Sequence, residues 1–103
     1  MPDITLEDLY RVYDQLKDKY DLTLDNSLLL DPNFTVDCPV LVGRANGLIM
    51  WLYEDEGLFI MDVMDATQTK GVHFHPLDVP EALDDIVAFM EGTEQYDLSA
   101  YNR

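Results

Sequence analysis

Four short, largely apolar runs follow one another in the middle of the chain, and turn residues separate them. They are rich in β-branched and aromatic residues and have the length of strands: Val40–Arg44, Leu48–Tyr53, Leu58–Met64 and Val72–His75. Between the first two runs stands Asn46-Gly47, a dipeptide that tolerates the positive φ angles of a type I′ hairpin turn. The pattern therefore predicts an antiparallel meander of four strands.

The segments on either side of the meander show the spacing of amphipathic helices. The first predicted helix begins at Thr5, where Asp8 can complete a capping box, and it is expected to end near Tyr20. Its apolar stripe is Leu6, Leu9, Tyr10, Tyr13, Leu16 and Tyr20. The second predicted helix begins at Asp78, which Glu81 can help to cap, and Gly92 terminates it. Its apolar stripe is Leu83, Ile86, Val87 and Met90.

The order of these elements predicts a single α+β domain over residues 1–103. We expect an N-terminal helix, the four-stranded antiparallel meander and a C-terminal helix. The apolar run Leu28–Leu30, which Asp31-Pro32-Asn33 stops, suggests a fifth strand at the edge of the sheet. Both helices are expected to pack on one face of the sheet.

Turn lengths predict which residues lie opposite one another on neighbouring strands. A two-residue loop at Asn46-Gly47, a turn over Glu54–Gly57 and a longer loop around 65–70 set the three registers. The expected pairs are Val42 with Trp51, Arg44 with Ile49, Trp51 with Ile60, Ile49 with Asp62, Asp62 with His73, and Ile60 with His75.

These registers divide the side chains between two sheet faces. One face is uniformly apolar and is the predicted floor for the helices: Leu41, Ala45, Leu48, Met50, Leu52, Phe59, Met61, Val63, Val72 and Phe74. The other, which we call the second face, mixes apolar and polar residues: Val40, Val42, Arg44, Ile49, Trp51, Tyr53, Leu58, Ile60, Asp62, His73 and His75. An apolar patch of this size requires a cover, because monomers rarely expose one larger than a few hundred Å².

The cover of the second face decides between two interpretations of its aromatic residues. Trp51 and Tyr53 share one strand face, and such residues are common in interface hot spots. We therefore predict a partner-binding surface of Trp51, Tyr53, Ile60 and Arg44. The alternative is a second core, covered by Leu28–Leu30 or by the C-terminal tail, and a second copy of the chain is a further candidate.

Charge limits the partners of this protein. Among 103 residues, 21 Asp and Glu face 6 Lys and Arg, so the formal net charge is −15. A phosphate backbone or an anionic lipid surface requires basic residues, so we expect neither a nucleic-acid nor a membrane partner. A basic protein is the expected partner. The single cysteine, Cys38, and the lack of a signal segment or membrane span favour a reducing cytoplasm.

Two histidines provide the only metal-binding alternative. His73 and His75 alternate on one predicted strand, with Asp62 opposite, and imidazole and carboxylate groups suit zinc or iron. This His-x-His is loosely similar to the one in cupins, but a cupin barrel needs more strands and a further histidine. A polar cluster of Arg44, Asp62 and His73 explains the same residues without a metal.

No catalytic motif stands beside these candidates, since the chain lacks a Gly-rich phosphate loop and a Gly-x-Ser-x-Gly sequence. The leading hypothesis is a non-catalytic binding protein without a cofactor, inhibitor- or immunity-like, with a basic protein partner. Small size and acidity are shared with bacterial immunity proteins as a class, which does not establish function. The alternatives are a metal- or small-molecule-binding domain and a homodimeric structural protein.

Overall fold

The computed structural model describes residues 3–25, 28–31, 34–36, 39–98 and 101–102, and for 28–31, 34–36 and 101–102 it describes the backbone. Two helices, α1 (Leu6–Leu16) and α2 (Val79–Glu91), accompany the strands. The strands are β1 (Thr23–Asp25), β2 (Leu28–Asp31), β3 (Phe34–Val36), β4 (Val40–Ala45), β5 (Leu48–Asp55), β6 (Leu58–Asp65), β7 (Lys70–Phe74) and β8 (Tyr101–Asn102). The fold is α+β, as the sequence predicts.

Helix α1 begins at the predicted cap and ends earlier than predicted. Thr5 accepts a hydrogen bond from the backbone N–H of Asp8, whose carboxylate accepts in turn from the N–H of Thr5 at 3.0 Å. The prediction of an end near Tyr20 is wrong, because the helix stops at Leu16 and a turn follows it. The buried residues of the helix are Leu9, Val12 and Leu16. Val12 is thus buried although it lies outside the predicted stripe, whereas Leu6 and Tyr10 belong to that stripe and are exposed.

Helix α2 has the predicted boundaries. The Asp78 side chain accepts from the N–H of Glu81, and Gly92 ends the helix with a φ of 72°. The Glu81 carboxylate accepts from the N–H of Leu77 at 3.1 Å, one residue before the cap. The buried residues of α2 are Ala82, Ile86 and Phe89. Of the predicted stripe, only Ile86 is among these buried residues. The other members, Leu83, Val87 and Met90, are partly buried and pack against the core.

The meander β4–β5–β6–β7 forms the centre of the main sheet, whose strand order is β1-β4-β5-β6-β7-β8. The first register is confirmed, with Val42 opposite Trp51 and Arg44 opposite Ile49. The third register is confirmed by Asp62 opposite His73.

The second predicted register, between β5 and β6, is wrong. Trp51 lies opposite Asp62 instead of Ile60, and Ile49 lies opposite Met64 instead of Asp62. The reason is a tighter turn than predicted. Glu56 and Gly57, with φ of 53° and 81°, form a two-residue loop, so both strands extend further.

The main sheet has six strands, and the two that flank the meander, β1 and β8, come from segments other than the predicted one. Thr23–Asp25 (β1) pairs with β4, placing Thr23 opposite Val42. The apolar run Leu28–Leu30 falls in β2, which pairs with β3 as a separate two-stranded sheet. The run does form a strand, but it does not join the main sheet.

Both helices pack on the predicted apolar face. That face contributes the sheet side of the main core, and α1 and α2 contribute the other side. Gly43 lies on β4 close to the side chains of Leu22 and of Met90 on α2. An added Cβ there would be 2.9 Å from Leu22 Cδ2 and 3.2 Å from Met90 Sδ. The absence of a side chain at this position lets the layers meet.

Candidate functional site

The second face carries a second apolar cluster that is separate from the helix-covered core. Its buried members are Val40, Val42, Ile49, Trp51, Tyr53 and Met64, and Ile60 packs against them. The strand pairing aligns Val42, Trp51, Asp62 and His73 in one row across four strands. Tyr53 lies opposite Ile60 in the next row.

Exposure separates the four residues that were predicted to bind a partner. Trp51 is 3% exposed and Tyr53 is 9% exposed, so both are interior residues of the folded chain. Arg44 is exposed and Ile60 is half-buried. These exposures are those of a single chain, so the cover over the aromatic residues belongs to the chain itself.

Asp62 is a buried carboxylate in this second cluster. It is 7% exposed and lies between Trp51 and His73 on the neighbouring strands. A buried carboxylate requires hydrogen bonds or an opposite charge, and Asp62, His73 and Tyr53 each have an interaction partner within the chain. Of the predicted polar cluster, Asp62 and His73 lie opposite each other on adjacent strands. Arg44 is exposed and lies on β4 opposite Ile49.

The geometry around the histidines gives the metal alternative no support. The rings of His73 and His75 are 6.0 Å apart between centroids. His75 Nδ1 is 3.1 Å from the carbonyl oxygen of Phe59, to which the ring donates. In the part of the chain that the structure describes, no three or more His, Cys, Asp or Glu side chains are grouped to hold a metal ion.

Two leucines at one end of the sheet are much more exposed than the predicted aromatic anchors. Leu58, the first residue of β6, is 55% exposed, and Leu77, between β7 and α2, is 75% exposed. Both border a cleft of about 110 Å³ that is lined by Asp3, Ile4, Gly57, Leu58, His75, Pro76 and Leu77. We call this surface the Leu58–Leu77 patch.

Hydrogen bonds hold together the segments that form the Leu58–Leu77 patch. The N–H of Ile4 donates to the carbonyl of Gly57 at 2.9 Å, which holds the N-terminal segment against the β5–β6 turn. The N–H of Gly57 donates to the Glu54 carboxylate at 3.0 Å, which closes the turn. The patch was missed in the sequence because Leu77 lies outside every periodic pattern. The sequence does place Leu77 just before the Asp78 cap, and this position could have identified it as an apolar residue to examine.

A second cleft, of about 290 Å³, lies between β7 and the segment after α2. It is lined by Val72, Phe74, Asp85, Glu94, Gln95, Tyr96 and Asp97. Burial, together with the carboxylates of Glu81, Glu94 and Asp84, raises the pKa of Asp85. Burial and the nearby Glu94 and Asp85 raise the pKa of Tyr96 to about 12. Apolar and acidic side chains therefore line this cleft together.

The opposite end of the sheet contains an open depression of about 520 Å³ around Arg44. It is lined by Arg44, Ala45, Asn46, Gly47, Leu48, Ile49, Ala66 and Gln68. The adjacent β6–β7 turn is organised by Asp65, whose carboxylate accepts from the N–H groups of Thr69 and Lys70 at 2.8 and 3.1 Å. The Thr67 hydroxyl also donates to this carboxylate, at 2.7 Å. Together these hydrogen bonds lower the pKa of Asp65 to about 2, with the largest contribution from the Lys70 N–H and the next largest from the Thr67 hydroxyl.

Comparison with known proteins adds no further constraint: no protein-family model, no curated protein and no solved structure matches this chain. Neither helix within the described ranges has the length and apolar character needed to cross a membrane.

Proposed function

We propose that this chain is a non-catalytic binding protein, inhibitor- or immunity-like in mode, which recognises a basic protein partner in a reducing cytoplasm. The observation that supports it is an excess of carboxylates that the chain's own cations do not balance. The sequence has 21 acidic and 6 basic residues. Arg11 and Lys17 are already paired with Asp8 and Asp14, each three residues earlier in the chain.

The partner in this proposal supplies the missing positive charge. Opposite potentials accelerate the encounter of two proteins and disfavour partners of like charge. A nucleic acid or an anionic membrane has the wrong sign for this surface. Blocking a basic functional surface on the partner requires only shape and charge, and no reaction.

The exposure of individual side chains determines which residues of the second face the proposed partner could contact. At the rim of that face, Arg44 is exposed and Ile60 is half-buried. Trp51 and Tyr53, at its centre, are buried. In the proposed role the two aromatic side chains hold β5 and its neighbours in place and do not meet the partner directly. Contact would then fall on exposed residues around the rim.

The test begins with capture from native lysate on the immobilised protein at low ionic strength. Bound proteins are identified by mass spectrometry, and the purified partner is titrated calorimetrically at several salt concentrations. We expect a partner with a high isoelectric point whose affinity falls with added salt. The screening length shrinks from about 30 Å at 0.01 M to about 8 Å at 0.15 M. An acidic partner, salt-insensitive binding, or recovery of the chain's own dimer alone would contradict the proposal.

A further inference from the structure

The strongest unexplained feature of the described surface is the Leu58–Leu77 patch. Leu58 and Leu77 are the two most exposed of the large apolar side chains in the described residues, at 55% and 75%. They come from different elements and border the same cleft of about 110 Å³. A water needs about 10–15 Å³ of such space, so the cleft has room for a group of several atoms.

Comparison of the two helix starts shows that the exposure of Leu77 is unusual. An apolar residue just before an N-cap commonly packs on the residue four positions after the cap. At α1 this residue is Ile4, which packs against the core that contains Leu9. At α2 it is Leu77, and the equivalent partner is the small Ala82, which is fully buried. Leu77 therefore remains in solvent where its counterpart is stapled.

Charge around the patch has a single sign. The residues that line this cleft come from three segments, 3–5, 54–58 and 75–81, and none of these segments contains lysine or arginine. They carry Asp3, Glu54, Asp55, Glu56, Asp78 and Glu81. Successive turns of a meander alternate between the ends of the sheet, so Arg44 and Lys70 lie at the far end.

We infer that the Leu58–Leu77 patch is the surface that binds a basic segment of the partner, an inference that rests on the proposed function. The occupant is a stretch of lysines or arginines that carries an aliphatic side chain. The aliphatic group enters the cleft between the leucines, and the flanking cations face Asp3 and Asp55. The patch adjoins the second face through Ile60, two residues from Leu58 on β6.

The probe for this inference is a short blocked peptide with two leucines between pairs of lysines. A second peptide with serines in place of the leucines has the same charge and serves as its control. We expect the leucine peptide to bind roughly tenfold more tightly, because it buries apolar area as well as pairing charge. In ¹H–¹⁵N spectra, the amides of Gly57, Leu58 and Leu77 should shift most.

Matched variants separate the patch from general electrostatics. Leu58→Ser with Leu77→Ser should abolish the advantage of the leucine peptide, whereas Tyr10→Ser, at an exposed position on α1, should preserve it. Asp3→Asn with Asp55→Asn should weaken binding at least about twofold more than Asp18→Asn with Asp84→Asn, although both pairs change the net charge equally. All four of these carboxylates are exposed.

Each outcome decides a different point. Equal, salt-sensitive binding of both peptides would overturn the patch while leaving charge-driven partner binding intact. Binding of neither peptide at low salt would count against the proposed function as well. If the double leucine variant loses its native spectrum, Leu77→Ser alone repeats the test, because Leu77 is 75% exposed and lies outside helix and strand.

Discussion

The two faces of the main sheet bury similar apolar side chains but differ in how they tolerate polar ones. The helix-covered face contributes only apolar residues to its core, including Met50, Phe59 and Met61. The second face buries Trp51 and Tyr53 beside the carboxylate of Asp62. Amphipathic helices offer apolar stripes to the sheet, so a carboxylate on the first face would find no partner there.

This difference shows that aromatic side chains on a strand do not by themselves indicate an interface. Trp51 and Tyr53 satisfy the composition of a hot spot, yet the chain covers both. The exposed large apolar side chain of the same face is Leu58, which lies at its rim as the first residue of β6. The second face is therefore buried at its centre and exposed at its rim.

Truncating one large side chain on each face gives the largest expected effect. Trp51→Ala on the second face and Phe59→Ala on the helix-covered face should each lower the free energy of unfolding by roughly 3–5 kcal/mol. Both side chains are almost completely buried, at 3% and 0% exposed. Urea unfolding monitored by circular dichroism measures the two losses on one scale.

The control for this pair is Leu77→Ala, which should change stability by less than about 0.5 kcal/mol, because the side chain is exposed. A Trp51→Ala variant as stable as the wild type would show that the second face is not a core. That result would favour the alternative in which Trp51 belongs to a partner-binding surface.

A smaller effect is expected from crowding the helix-covered face alone. Gly43→Ala should cost about 1–3 kcal/mol, because its Cβ would press on Leu22 at 2.9 Å and on Met90 at 3.2 Å. Combining it with Met90→Ala should produce less destabilisation than the sum of the single changes, since the second change removes one of the close contacts. Strict additivity in thermal unfolding would indicate that Met90 does not crowd this position, and a Gly43→Ala variant as stable as the wild type would indicate that the layers have room there.

The smallest expected effect concerns the pKa of Asp65 in the β6–β7 turn, away from both sheet faces. The folded pKa of Asp65, about 2, lies below the ordinary value of 3.8 for an aspartate. Its contribution to stability is therefore present above about 3.8 and is lost as the pH falls through about 2. Carboxyl-detected NMR should report this low pKa. Thr67→Ala should raise it by removing one hydroxyl donor, and an unchanged value in that variant would contradict the assignment.

Local signals in the sequence determined much of the fold. The Thr5 and Asp78 caps, the Gly92 terminator and the Asn46-Gly47 turn each depend on residues close together in the chain. The helix-facing residues of the sheet followed from those turns and from strand alternation. Such features are encoded within a few residues, so one sequence is sufficient to predict them.

Other features of the fold depend on tertiary packing and not on local signals in the sequence. No glycine or proline marks the end of α1 at Leu16, where the chain turns back so that Leu22 can enter the core and β1 can pair with β4. Glu56-Gly57 is a weaker turn signal than Asn46-Gly47, so the β5–β6 register depended on pairing along both strands. The burial of Trp51 and the exposure of Leu77 depend on contacts between residues far apart in the chain, which sequence periodicity does not encode.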